Sequence, residues 1–268
     1  MKTRTWALAA AVWTLTAPNA MAQAPTRILS LDQCADQYVL ALAPDADLYL
    51  SPRADDPDSW MRAAAIGRPR VRPTLEAALA VRPEVVVRTW GGDPRLLWAL
   101  ESRGVRILQI GDAKEMADVQ RNTQAAADAL GRPDAGRRLV HRMERTLSLS
   151  APSGEERGSA LYMTAGGFTA GTGTLIDAIL RAAGYANTAG IVGFGPISVE
   201  RIAVAPPRRF VLGFFDQLRA DWRGVGRHPV VRRASAGRVV ADLPGAAITC
   251  PAWFAADAAR MIATGTAR

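Results

Sequence analysis

Cys34 and Cys250 are the only cysteines of the 268-residue chain, and His141 and His228 are its only histidines. A thiolate beside an imidazole would make a nucleophile, but no spacing ties either histidine to Cys34. Two histidines also supply little for a histidine-rich metal site. In an oxidising compartment two such cysteines are expected to close a disulfide. A second pair is acidic. Glu76 and Glu200 sit in two copies of one segment, residues 74–87 and 198–211, which align without a gap and also match Thr74 with Ser198 and Pro83 with Pro207. Each glutamate lies in the first turn of an expected helix, where the macrodipole favours a carboxylate. The residues leave two roles open: local stabilisation, or a symmetric pair of acidic knobs offered to a two-fold partner carrying arginines.

Other chemistry lacks its motifs. The chain has no Gly-x-Ser-x-Gly elbow and no His-Glu-x-x-His. The glycine-rich run from Gly166 to Gly173 has neither the Gly-x-Gly-x-x-Gly context nor the Gly-Lys-Ser/Thr ending of a phosphate loop, and reads as a tight turn where backbone approaches a ligand. The remaining enzymatic alternative is a secreted thiol-dependent or hydrolytic enzyme.

The elements that must position these residues follow from the repeat. Each copy reads as a helix N-cap, an acidic turn, an apolar helix, a proline break and an apolar strand. The offset from Glu76 to Glu200 far exceeds solenoid periods of roughly 20–50 residues. It fits two similar α/β lobes with a cleft between them. Strands are expected at Arg27–Leu31, Tyr49–Pro52, Val85–Val87, Val105–Ile110, Ala160–Thr164, Phe210–Phe215 and Arg238–Ala241, alternating with helices as in parallel α/β sheets. A helix from Asp134 to about Leu149, with Leu139, Val140, Met143 and Leu147 at helical spacing, reads as the connector. The expected organisation is a signal peptide at 1–22, a first lobe at 23–132, the connecting helix at 133–151 and a second lobe at 152–268.

Lys2 and Arg4, the apolar stretch from Trp6 to Ala17 and Ala20-Met21-Ala22 have the pattern of a cleaved secretory signal, with Gln23 starting the mature chain. No cysteine follows the cleavage point for a lipid anchor. The formal charge is +8, almost all arginine, since Lys2 and Lys114 are the only lysines. The arginines are scattered without interleaved aromatics, which argues against a nucleic-acid partner and leaves room for a basic cleft.

In open parallel sheets ligands bind beyond the carboxyl ends of the strands. Cys34, Trp90, Phe168, Phe214, Phe215, Cys250 and Trp253 fall at such ends, and flat apolar walls suit a large planar or macrocyclic ligand. At this point the chain resembles the periplasmic binding proteins that serve iron-siderophore, haem and cobalamin ABC importers, nearest in its motifs to the cobalamin-binding members. The resemblance covers essentially the whole mature chain.

It implies two Rossmann-like lobes with parallel sheets joined by one long helix, a ligand cleft between them, and no catalysis or cofactor. It implies that Glu76 and Glu200 dock onto arginines of an ABC permease dimer in the inner membrane. It places Trp90, Phe168, Thr169, Phe194 and the Cys250–Trp253 loop on the ligand, a metal chelate or corrinoid bound by a periplasmic monomer; Phe215 joins them as an aromatic at a strand end. Arg70 departs from the pattern, falling where the cobalamin binders have a tryptophan. Cys34 and Cys250 depart too. The resemblance puts both at the cleft, either bonded to each other or as free thiols contacting a soft metal centre in the ligand.

Overall fold

A computed structural model describes residues 27–152, 154, 157–217 and 223–266. The expected signal peptide lies outside the described residues. The first lobe runs β1 (Arg27–Ser30), α1 (Gln33–Leu42), β2 (Asp47–Tyr49), α2 (Arg62–Ala65), α3 (Leu75–Val81), β3 (Val85–Arg88), α4 (Pro94–Glu101), β4 (Arg106–Gln109) and α5 (Met116–Ala129). Its four strands are parallel in the order β2-β1-β3-β4. The inner strands are continuous apolar runs, Ile28-Leu29 and Val85-Val86-Val87, because helices cover both faces of the sheet.

The long helix α6 (Pro133–Ser150) follows, opened by a proline whose missing N–H costs nothing at that position. Leu139 and Met143 are buried along its stripe, with Val140 and Leu147 half-buried. Gly136 lets α6 approach α5: a Cβ there would meet the Ala127 Cβ at 2.5 Å.

The second lobe runs β5 (Ser159–Thr164), β6 (Phe168–Ala170), α7 (Leu175–Ala182), β7 (Ala186–Asn187), β8 (Phe194–Pro196), α8 (Val199–Val204), β9 (Phe210–Gly213), α9 (Pro229–Ser235), β10 (Val239–Leu243), α10 (Gly245–Ile248) and α11 (Ala255–Thr264). Its parallel sheet is ordered β10-β9-β5-β7, with β6 and β8 forming a separate antiparallel pair. The two parallel sheets have the same topology, β2-β1-β3-β4 against β7-β5-β9-β10.

The repeat is therefore structural. Thr74 and Ser198 both cap their helices, accepting the backbone N–H of Ala77 and Arg201. The copies part at the helix ends. Arg82 takes a left-handed conformation with φ 50°. The matching residue is Pro206, whose ring holds φ near −65°, so α8 closes differently.

Two cores lie on opposite faces of each sheet, and the largest contains a surprise. Cys250, Ala252, Trp253, Phe254 and Ala256 pack with Tyr38, Leu40 and Leu42 in the first lobe's core. Trp253 meets Tyr38 edge-on with centroids 5.7 Å apart, and Phe254 stacks on Trp60 at 5.1 Å. The chain's last segment thus crosses back into the first lobe.

Candidate ligand cleft

The carboxyl ends of both sheets face a cavity of about 650 Å³. The first lobe reaches it through Asp112, Ala113 and Lys114; the rest of the lining comes from residues 162 onward. Phe168 and Phe194 stand on β6 and β8, whose register pairs Phe168 with Pro196 and Ala170 with Phe194. Both phenylalanines therefore fall on one face of the pair. They are 55% and 72% exposed, which is unusual for rings of that size and leaves them free to stack on an occupant. Phe214, Leu175, Ile176, Ile179 and Ile248 complete an apolar wall.

On the first lobe, one buried carboxylate organises the loop after β3. Asp32 caps α1, accepting the N–H groups of Cys34 and Ala35 at 3.1 and 2.9 Å. It also accepts from Thr89, Trp90 and Gly91 N–H at 2.7, 3.1 and 2.9 Å and from the Thr89 hydroxyl. Gly91 is required here because a Cβ would lie 2.5 Å from the Leu31 carbonyl oxygen. Trp90 is held exposed on this loop but does not line the cavity. Behind it, Asp36 accepts the Ser51 N–H and hydroxyl at 2.9 and 2.5 Å. Burial lifts its carboxyl to about 6 against those hydrogen bonds.

Cys34 and Cys250 form a disulfide with Cα atoms 5.2 Å apart. This corrects the free-thiol alternative, since neither sulfur is left as a thiolate. Cys34 is buried and away from the lining, while Cys250 remains on the cavity wall.

Two other expected ligand residues lie off the cavity lining. Trp253 is 4% exposed and belongs to the aromatic core with Tyr38 and Phe254. The Tyr38 hydroxyl donates to the Pro251 carbonyl at 2.8 Å and holds that loop inward. Phe215 points away from the cavity and carries the Arg227 guanidinium 4.9 Å over its ring. Phe214 takes its place, because φ of 63° at that residue ends β9 and turns the chain. Thr169 lines the cavity, but its hydroxyl is committed to the Tyr162 carbonyl at 2.6 Å. Arg70 spans carbonyls of Ala65 and Arg68 and pairs with Asp55 at 3.4 Å, so it braces the 55–70 loop.

Glu76 and Glu200 are both exposed in the first turns of α3 and α8. Its own backbone N–H and the Ser198 hydroxyl hold the Glu200 carboxyl below the usual range, with His228 adding to the effect. Among the described residues no group of histidine, cysteine, aspartate or glutamate side chains could hold a metal ion. No described helix is long and apolar enough to cross a membrane.

Residues 39–213 match the family described as periplasmic binding protein. The chain belongs to that family. The fold of this periplasmic binding protein is similar to the periplasmic haem-binding protein BhuT in complex with two haems (21% identity, TM-score 0.68, covering 88% of this chain and 96% of that one). It is also similar to the periplasmic haem-binding protein HutB of Vibrio cholerae (18%, TM-score 0.66, covering 89% and 98%). The periplasmic vitamin B12 binding protein BtuF of Vibrio cholerae is another relative in fold (19%, TM-score 0.65, covering 90% and 96%). No curated protein sequence matches the chain. The family and two-lobe fold expected from the sequence are the ones found.

Proposed function

We propose that this periplasmic binding protein captures a metal chelate or corrinoid in the inter-lobe cleft and hands it, unchanged, to an ABC permease dimer in the inner membrane. Cobalamin, ferric siderophores and haem are the candidate ligands. The observation that carries the reading is the 650 Å³ cavity at the carboxyl ends of both sheets, walled by Phe168, Phe194 and Phe214. Its size falls within the roughly 300–1,000 Å³ of small-molecule sites. Its wall offers flat hydrocarbon, which suits a ligand whose metal is already coordinated by its own chelator.

The structural relatives support the same ligand classes, being named for haem and vitamin B12. Glu76 and Glu200 are the proposed docking carboxylates. Their equivalent places on the two lobes suit a two-fold partner presenting arginines. Export by a signal peptide cleaved after Ala22 belongs to this proposal, and amino-terminal sequencing of the mature protein should read from Gln23.

The test is native mass spectrometry and a visible absorption spectrum of protein purified from periplasm. A corrinoid, haem or ferric-chelate band that disappears in Phe168→Ala/Phe194→Ala would support the reading and name the ligand. A colourless protein that takes up none of cobalamin, haem or ferric siderophores would overturn it.

A further inference from the structure

The opposite pole of the second lobe carries a feature that the cleft does not explain. Arg157, Arg208, Arg209 and Arg238 converge on a concavity of about 420 Å³, together with Gly158, Ser159 and Pro206. All four arginines are exposed. They come from the amino ends of adjacent strands: Arg157 precedes β5, Arg208 and Arg209 precede β9, and Arg238 precedes β10.

Parallel strands lie about 4.8 Å apart, so this edge sets guanidinium stems in a close row. The row is fixed by backbone. Leu161 N–H donates to the Arg209 carbonyl at 3.0 Å, and Phe210 N–H donates to the Arg238 carbonyl at 2.9 Å.

Among the described residues no carboxylate forms an ion pair with any of the four. Among the described residues, the group's one side-chain hydrogen bond runs from Arg238 to the Pro207 carbonyl at 3.5 Å. Like charges gathered this closely repel one another, and an anion seated among them relieves that repulsion.

The first lobe shows that the frame does not require the row. Its equivalent edge holds Arg27, Asp47, Glu84 and Arg106, and Arg27 pairs with Asp47 at 3.4 Å. In the repeat, Glu84 aligns with Arg208 and Val85 with Arg209. The same two positions are an acid and a hydrophobe in one lobe and two cations in the other.

We propose that this arginine cup is a second binding site, for a ligand carrying several phosphate groups. Planar guanidinium forks match phosphate oxygens two at a time, and a row of them suits successive phosphates. Such phosphate could belong to a soluble polyphosphate or to lipid headgroups. A smaller apolar pocket of about 310 Å³ shares Ser159 and Arg208 with the cup, and would shelter the first carbons of a lipid.

The experiment measures binding of sodium tripolyphosphate, and of phosphatidylcholine vesicles with and without phosphatidylglycerol, to the mature protein at fixed ionic strength. It compares Arg157→Ser/Arg209→Ser/Arg238→Ser with Arg62→Ser/Arg145→Ser/Arg233→Ser, which removes equal charge elsewhere. The cup variant should bind at least about tenfold more weakly, and the charge-matched variant within about twofold of the parent. Binding of tripolyphosphate alone assigns a soluble ligand, and binding of phosphatidylglycerol vesicles alone assigns a headgroup. Equal loss in both variants, or no binding to either probe, overturns the site. Should the triple variant fail to fold by circular dichroism, Arg209→Ser alone carries the comparison.

Discussion

The two lobes share a strand order and a helix-strand repeat, yet they hold the cleft by different means. The first lobe works through buried polar groups: Asp32 ties α1 to the Trp90 loop, and Asp36 ties α1 to the end of β2. The second lobe presents phenyl and aliphatic side chains and supplies most of the cavity wall. A sheet with parallel strands fixes where a site lies. What hangs from its carboxyl ends decides what the site does, and one duplicated frame has here been fitted with a polar brace on one side and a cavity-facing apolar wall on the other.

Several measurements would break or sharpen that contrast. Asp32→Ala should be among the most damaging changes, at about 3–5 kcal/mol in chemical denaturation, because it strands several buried N–H donors at once. Thr174→Ala, the corresponding loss of a side-chain cap at α7 in the second lobe, should cost only about 1 kcal/mol. Comparable losses would mean that the second lobe is also held by polar bracing. Removing the disulfide in Cys34→Ser/Cys250→Ser should lower stability by about 3–5 kcal/mol, since it spans 216 residues. The same denaturation curves under reducing conditions check it.

Asp36 gives the first lobe a pH signature. Its native carboxyl titrates near 6, above an ordinary aspartate, so the folded protein keeps a proton that the unfolded chain has lost. Stability should therefore fall by about 2–3 kcal/mol as pH rises from about 4 to about 6, then level off. Asp36→Asn should flatten that slope, and an unchanged slope would assign it elsewhere. Phe168→Ala should weaken ligand binding about tenfold or more while moving stability by less than about 1 kcal/mol, because the ring is already largely exposed. Glu76→Ala/Glu200→Ala should leave stability within about 0.5 kcal/mol and ligand binding unchanged while abolishing uptake into cells. A loss of ligand affinity instead would take both glutamates out of the docking role.

The frame was legible because it is written locally. Thr74 and Ser198, each followed by an acid, an apolar turn and a proline, name their helix and strand from neighbours in sequence. Phe168 and Phe194 were reached through the family resemblance and do line the cavity. Phe215 was expected in the cleft and lies off its lining, because a left-handed Phe214 exchanges which ring faces inward, and no residue type announces that conformation. Asp32 was missed for a different reason. As a helix cap it reads as ordinary, and its bonds to residues 89–91 exist only once β1 and β3 are paired. The three-residue strands β6 and β8 were hidden within glycine-rich sequence, too short to show alternation.

The return of the last segment into the first lobe sets an order on the making of the molecule. Tyr38 and Trp60 find their ring partners in Trp253 and Phe254, more than two hundred and roughly one hundred and ninety positions later. The first sheet can pair early, but the largest core of the first lobe stays incomplete until Trp253 and Phe254 reach it. The first lobe is thus the first to be synthesised and cannot be the first to be finished. A chain cut short before Cys250 would leave that core without Trp253 and Phe254, and the disulfide without its second sulfur.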